Sequence, residues 1–201
     1  MLHITPSGQA IHAQINLNIS PNLEGGPMQA IHGIVVHQTN SPTAASTLNG
    51  YKDAKPNGAH FLIDKDGTIY QTASVYKKTR HVGYLKSRCV AKHTCSPTEL
   101  KNLNGKKLGK QISGIEAKKK WPARYPSNED SIGIEMVAMA LPKNEPNDDK
   151  KTFESVTKEQ QASLKWLIQE LTLTLKVQMT EIFRHPAVSW KNRTEASTAT
   201  W

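Results

Sequence analysis

Apolar positions along this chain fall into short β-type runs through most of its length, followed by one helical stripe near the end. Ile34-Val35-Val36 reads as a buried strand that turns polar at His37. Ala59–Asp64 and Thr68–Gln71 flank Lys65-Asp66-Gly67, and an Asp-Gly turn between two β-rich runs predicts a hairpin. Ser131–Val137 is a further strand and holds a carboxylate, Glu135, among apolar neighbours. Ile182-Phe183-Arg184-His185 predicts a last short strand, again ending in histidine, before Pro186 and an irregular tail. Residues 1–29 alternate weakly at Ile15, Leu17 and Ile19 and run into a turn cluster, as a leading arm or edge strand would. Two helices stand out. Ser41-Pro42 predicts one with Ser41 as N-cap and Pro42 at the first helical position. Thr157 and Gln160 form a capping box for the other, whose Leu164, Leu167, Ile168, Leu171 and Leu175 share one face. Such a stripe is core packing.

A chain of 201 residues is long enough for one domain with a real core, here 30–201, and for an insertion within it. The formal charge of +9 changes the picture because of where it sits. Lys86 to Arg124 holds eleven Lys and Arg against Glu99 and Glu116 alone, so this segment carries the whole excess. With little apolar periodicity, about 84–128 reads as a basic insertion with at most short helices. It is either a solvated surface or an attractor of polyanions such as acidic wall polymers. Nucleic acid is not the expected partner, because aromatics are absent from its interior and no binding motif is present. Cys89 and Cys95 lie in the same segment, as a local disulfide or as two free thiols. No apolar run approaches the roughly 20 residues of a membrane helix, so membrane insertion is not expected. The N-terminus has no basic start followed by an apolar core, so export without a Sec signal or a cytoplasmic location is expected.

Chemistry gathers at the strand ends. A lone strand-end histidine is more often a satisfied core or turn group, so His37 gains meaning only from what converges on it. His185 ends another strand, and two neutral imidazoles suit zinc, whose hydrolytic sites use three protein ligands and leave a fourth position for water. Glu195, ten residues past His185, is a candidate third ligand from a following loop. Glu135 is a candidate general base.

Five segments in the same order carry a resemblance: Ile34-Val35-Val36-His37, Ala59-His60-Phe61-Leu62-Ile63-Asp64-Lys65-Asp66-Gly67, Arg80-His81-Val82-Gly83, Ser131-Ile132-Gly133-Ile134-Glu135 and Phe183-Arg184-His185. Together they resemble the amidase-2 family of zinc-dependent N-acetylmuramoyl-L-alanine amidases. That superfamily includes AmpD-type enzymes, phage endolysins and peptidoglycan recognition proteins. The resemblance spans about 30–195 and implies an α/β fold, a mixed central β-sheet flanked by helices. It implies zinc on His37, His185 and Glu195, with Glu135 as the catalytic glutamate. The family lysine two residues before the third ligand, which steadies the oxyanion, falls on Arg193. The third ligand is usually the aspartate of Lys-x-Asp-Pro-Gly, so Glu195 is one methylene longer and Ala196-Ser197 replace Pro-Gly. Some relatives carry a tyrosine where this chain has Ala59, which leaves Glu135 to act alone. His81 is either a substrate contact, a group that orients the site, or a turn histidine. His60 reads as packing or ligand support, and His32 and His93 as ordinary surface or turn residues.

The implied reaction is hydrolysis of the amide between N-acetylmuramic acid and L-alanine, with peptidoglycan or muropeptides as partners. The expected setting is an antibacterial, wall-degrading effector toxin or endolysin acting in the periplasm or on the wall, and an effector would be countered by an immunity protein. The alternatives are a cytoplasmic muropeptide-recycling amidase and a peptidoglycan-binding module without catalysis.

Overall fold

The computed structural model describes residues 1–201. In chain order the elements are β1 (His3–Ile4), β2 (Ala10–Ile11), β3 (Ile15–Leu17), β4 (Gly33–Gln38), α1 (Ala44–Gly50), β5 (Phe61–Ile63) and β6 (Ile69–Gln71). The insertion contributes α2 (Arg88–Ala91), α3 (Pro97–Asn104) and α4 (Gly109–Glu116). Then follow β7 (Ser131–Met136), β8 (Ala140–Leu141), β9 (Thr152–Phe153), α5 (Lys158–Leu175), β10 (Ile182–Arg184) and α6 (His185–Val188). Six strands form one mixed sheet in the order β10-β4-β7-β5-β6-β3. β4 pairs in parallel with β10 and β7, β7 pairs in parallel with β5, and the Asp-Gly hairpin makes β5 and β6 antiparallel. β3 closes the far edge, parallel to β6, so the segment ahead of residue 30 supplies a strand to the main sheet.

Buried central strands read as continuous apolar runs because both faces are covered. β4 is buried at all six positions. Ile34 and Val36 face α5 and join Ile132, Ile134, Met136, Leu164, Leu167, Ile168 and Leu171 in the principal core. Val35 faces the other way, into a smaller cluster with Val82, Leu85, Tyr125 and Val188. α5 has the expected capping box, with Thr157 accepting from the Gln160 amide and the Gln160 side chain accepting from the Thr157 amide. No helix is long and apolar enough to cross a membrane.

Two boundaries differ from the sequence expectation. α1 is capped by Thr43, whose hydroxyl accepts from the Ser46 amide, and not by Ser41. The Ser41 amide is already committed to the Ala138 carbonyl, which holds this residue to the end of β7. β10 stops at Arg184, and His185 opens α6 with Pro186 behind it, since proline suits the first turn of a helix and not a strand.

The insertion is firmly anchored. Arg88 makes a buried bidentate pair with Glu181 at 2.8 and 2.5 Å, and the Trp121 indole donates to the same carboxylate at 3.2 Å. Arg124 forks onto Asp130, and Lys119 bridges Glu99 and Glu116. Cys89 and Cys95 are joined by a disulfide. Three of the eleven cations are therefore structural. Lys92, Lys101, Lys107, Lys110, Lys118 and Lys120 stand exposed, and none has an acidic partner.

Leu167→Ala removes a fully buried side chain under the sheet and should cost about 2–5 kcal/mol of unfolding free energy. Leu173→Ala, on the exposed side of the same helix, should change stability by no more than about 0.5 kcal/mol. Urea titrations of the two variants check this contrast.

Candidate metal centre and cleft

The site grows out of strand register. His37 is the direct partner of Glu135 across β4 and β7. β10 runs in register with β4 up to Arg184 opposite Val36, so the next residue, His185, arrives beside His37. Side chains alternate along a strand, and because Ile34 and Val36 face the core, His37 projects from the opposite face with Val35. His185, His37 and Glu135 thus form one lateral row, with the two imidazole centroids 4.2 Å apart. Glu195 comes in from the C-terminal loop, and the ligand atoms of His37, His185 and Glu195 all lie within 4.8 Å of one another.

Hydrogen-bond partners assign the protons on the rings. His185 Nε2 lies 2.8 Å from the Val82 carbonyl, so this nitrogen carries the proton and donates. Its Nδ1 then presents a lone pair, 2.9 Å from Glu195 Oε1. His37 Nε2 lies 3.0 Å from His81 Nδ1, and His81 Nε2 lies 3.3 Å from both the carbonyl and the hydroxyl of Ser131. The Ser131 hydroxyl spends its own proton on Ser127, so His81 Nε2 donates, its Nδ1 accepts from His37, and His37 Nδ1 is left free. Two imidazole lone pairs and a carboxylate then point at one another, which is favourable only with a cation among them. Burial, and then the neighbouring His185, lower the His37 pKa to about 4 and keep it neutral. Burial opposes ionisation of Glu195, but the adjacent His185 and His37 rings outweigh it and lower its pKa to about 2. Neutral imidazoles with an ionised carboxylate are a suitable donor set for zinc.

The Glu195 loop explains how the Asp-Pro-Gly departure is accommodated. Ala196 sits at φ +55°, which proline cannot reach, so this loop follows a different path. Gln38 accepts from the Ala196 amide at 2.7 Å, and Arg184 donates to the Ala196 and Ala199 carbonyls. Asn192 caps the preceding turn through the Thr194 amide and hydroxyl.

Around the row lies a cleft of about 540 Å³, lined by His37, His81, Glu135, His185 and Glu195 among mostly polar residues. Arg80, Lys151 and Lys191 bring positive charge to it. Arg193 does not line this cleft. It is exposed, borders a separate depression with Trp201, and its charge acts on Lys86. The Asn192 turn lies between the two positions, and Lys191 lines the cleft where Arg193 does not.

Tyr51, at the C-terminal end of α1, is the residue sequence reasoning missed. Its phenol donates to Glu135 Oε2 from a buried position. Glu135 therefore has a tyrosine partner despite Ala59, but from another element. The legible trace of it is Gly58, where a Cβ would come within 2.4 Å of the Tyr51 ring. Burial raises the Glu135 pKa to about 7, with the Tyr51 hydrogen bond acting against the rise and the Glu195 charge adding to it. Gly133 has a similar meaning: a Cβ there would lie 2.8 Å from His81 Nδ1, so the glycine makes room for the ring that supports His37. His60 accepts from the Gly133 amide and donates to the Lys77 carbonyl, a buried group with both nitrogens used. His32 stacks on Trp121, and His93 occupies a left-handed turn position.

A family model described as N-acetylmuramoyl-L-alanine amidase matches residues 27–198. Solved structures of similar fold include AmpD in selenomethionine form, at TM-score 0.57 and 16% identity over 99% of this chain and 96% of that one. The catalytic domain of XlyA gives TM-score 0.52 and 20% identity over 88% and 87%. A mutant endolysin from Bacillus subtilis gives 0.50 and 20% over 86% and 84%. A search of curated protein sequences gives no significant match.

The purified protein should hold about one equivalent of zinc by elemental analysis, as three ligands with an open fourth position require. His185→Ala should abolish tight binding, and His81→Ala should weaken it by roughly 10- to 100-fold, the usual cost of losing a group that orients a ligand. Arg193→Ala should leave zinc content unchanged.

Proposed function

This chain belongs to the amidase-2 family of N-acetylmuramoyl-L-alanine amidases, and on that premise we propose that it hydrolyses the amide joining the lactyl group of N-acetylmuramic acid to L-alanine. The observation that carries the reading is the lateral row of His185, His37 and Glu135, completed by Glu195. His37 Nδ1, His185 Nδ1 and a Glu195 oxygen would hold zinc. When bound, zinc supplies Lewis acidity that polarises the scissile carbonyl and acidifies water.

The chain's own groups do the rest. Glu135 takes a proton from the attacking water and passes it to the departing amine of L-alanine. Tyr51 holds one carboxylate oxygen, Oε2, which leaves Oε1 for the water. Lys191, which lines the cleft, offers positive charge for the developing oxyanion, a role that the family motif alone would give to Arg193. Arg80 and Lys151 suit the carboxylates of a stem peptide running along the cleft. His81 keeps His37 in its ligating tautomer and does not itself need to touch substrate.

We extend the reading to an exported enzyme that degrades polymeric wall, as an antibacterial effector with a cognate immunity protein or as an endolysin. The exposed, unpaired lysines of the insertion support an anionic polymer as target, and the Cys89–Cys95 disulfide fits an oxidising compartment.

Glu135→Gln should retain zinc yet lower kcat on muropeptide by at least about 100-fold, as expected for loss of a general base. Wild-type turnover in this variant would remove Glu135 from the mechanism. The acid limb of the pH-rate profile reports ionisation of Glu135, since the base works only when deprotonated and activity rises with pH through its pKa. Tyr51→Phe deletes a hydrogen bond that favours the carboxylate, so the limb should move to higher pH by roughly one to two units. An unmoved limb would mean that Tyr51 does not act on Glu135.

A further inference from the structure

One isolated β-bridge outside the central sheet ties the insertion to the segment after His185. Leu85 bridges Ser189 in antiparallel sense, the Lys86 amide donates to the Val188 carbonyl, and the Ser189 hydroxyl donates to the Tyr84 carbonyl. That register sets Tyr84 across from Trp190. Both are large aromatics left 54% and 52% exposed. One step further along, the same register sets Gly83 across from Lys191, and both of these line the cleft. Tyr84 and Trp190 thus each adjoin a residue that lines the cleft, and both border its rim.

Trp190 is supported from behind. A Cβ on Gly109 would lie 2.8 Å from its Cδ1 and Nε1, so the start of α4 packs directly on the indole. Lys86 Nζ stands 5.3 Å from the ring centroid, and the exposed Lys110 follows Gly109. The ring is held in place by the insertion and still offers half its surface to solvent. Exposed aromatics beside a polar cleft mark a binding surface, because each would bury a large apolar area in a complex at little entropic cost.

We propose that Tyr84 and Trp190 form a sugar-stacking subsite that receives the glycan strand next to the muramoyl residue being cleaved. The occupant is a chain of β-linked N-acetylated amino sugars. Pyranose rings present apolar C–H faces that match the indole and phenol, and Lys86, Lys110 and Arg193 suit the anionic groups borne by such a strand. The inference rests on the amidase reading for its choice of polymer. It makes the insertion part of the substrate surface, selecting wall strands over single-sugar fragments.

Isothermal titration calorimetry of the zinc-loaded protein with peptide-free glycan strands tests this directly. The strands contain no muramoyl-alanine amide, so the outcome is independent of whether that bond is hydrolysed. Wild type should bind, Trp190→Ala and Tyr84→Ala should each weaken binding by at least about tenfold, and Trp190→Phe should stay close to wild type. Activity on sacculi relative to a single-sugar muramoyl dipeptide should fall in parallel, through KM more than kcat. No binding by wild type, or equal binding by Trp190→Ala, would overturn the proposal. So would a homodimer in sedimentation experiments that is lost on Trp190→Ala, since a second copy would then cover the patch.

Discussion

In a parallel arrangement neighbouring strands finish on the same rim of a sheet, and matched register makes their last side chains point the same way. β10, β4 and β7 meet both conditions, so His185, His37 and Glu135 emerge side by side. A slip of one residue in β4 would send His37 into the core and expose Val36 in its place. The principal core guards against that slip, because Ile34 and Val36 are clamped between the sheet and the leucine face of α5. Packing on one face of the sheet therefore sets the chemistry on the other.

Placing four buried histidines, the buried Glu195 and the half-buried Glu135 near one another is costly unless each polar atom is used. The structure answers with a chain of defined partners: Ser131 to His81, His81 to His37, Val82 to His185, Tyr51 to Glu135. Gly133 and Gly58 admit the rings that this chain requires. The result is a pair of imidazoles whose Nδ1 atoms face Glu195, an arrangement that suits a cation. The same logic explains the insertion. Its Arg88–Glu181 pair is buried, bidentate and backed by Trp121, which fixes the segment so that α4 can brace Trp190 at the cleft.

Much of this was legible in the sequence because it is written in local pattern. β-branched runs mark β4 and β7, Asp66-Gly67 marks the β5–β6 hairpin, and the capping box with its leucine stripe marks α5. His37, Glu135, His185 and Glu195 follow from strand ends and family spacing. Tyr51 was hidden because it reaches Glu135 across the fold from a helix end, leaving only Gly58 as a local sign. Lys191 lines the cleft and Arg193 does not, because the Asn192 turn lies between them, and counting along the motif does not show that turn. The start of α1 moved for a similar reason: a tertiary hydrogen bond from Ser41 to Ala138 overrides a sound local capping signal.

Cleavage of the muramoyl–alanine amide by a metal-dependent route at this row is open to a direct test. Digestion of purified sacculi by the wild-type protein, with and without a zinc chelator, and with products identified by mass, tests it most directly. Free stem peptides that begin with L-alanine are expected, lost on chelation and restored by added zinc. Stem peptides still attached to the sugar, or release that persists without the metal, would contradict it.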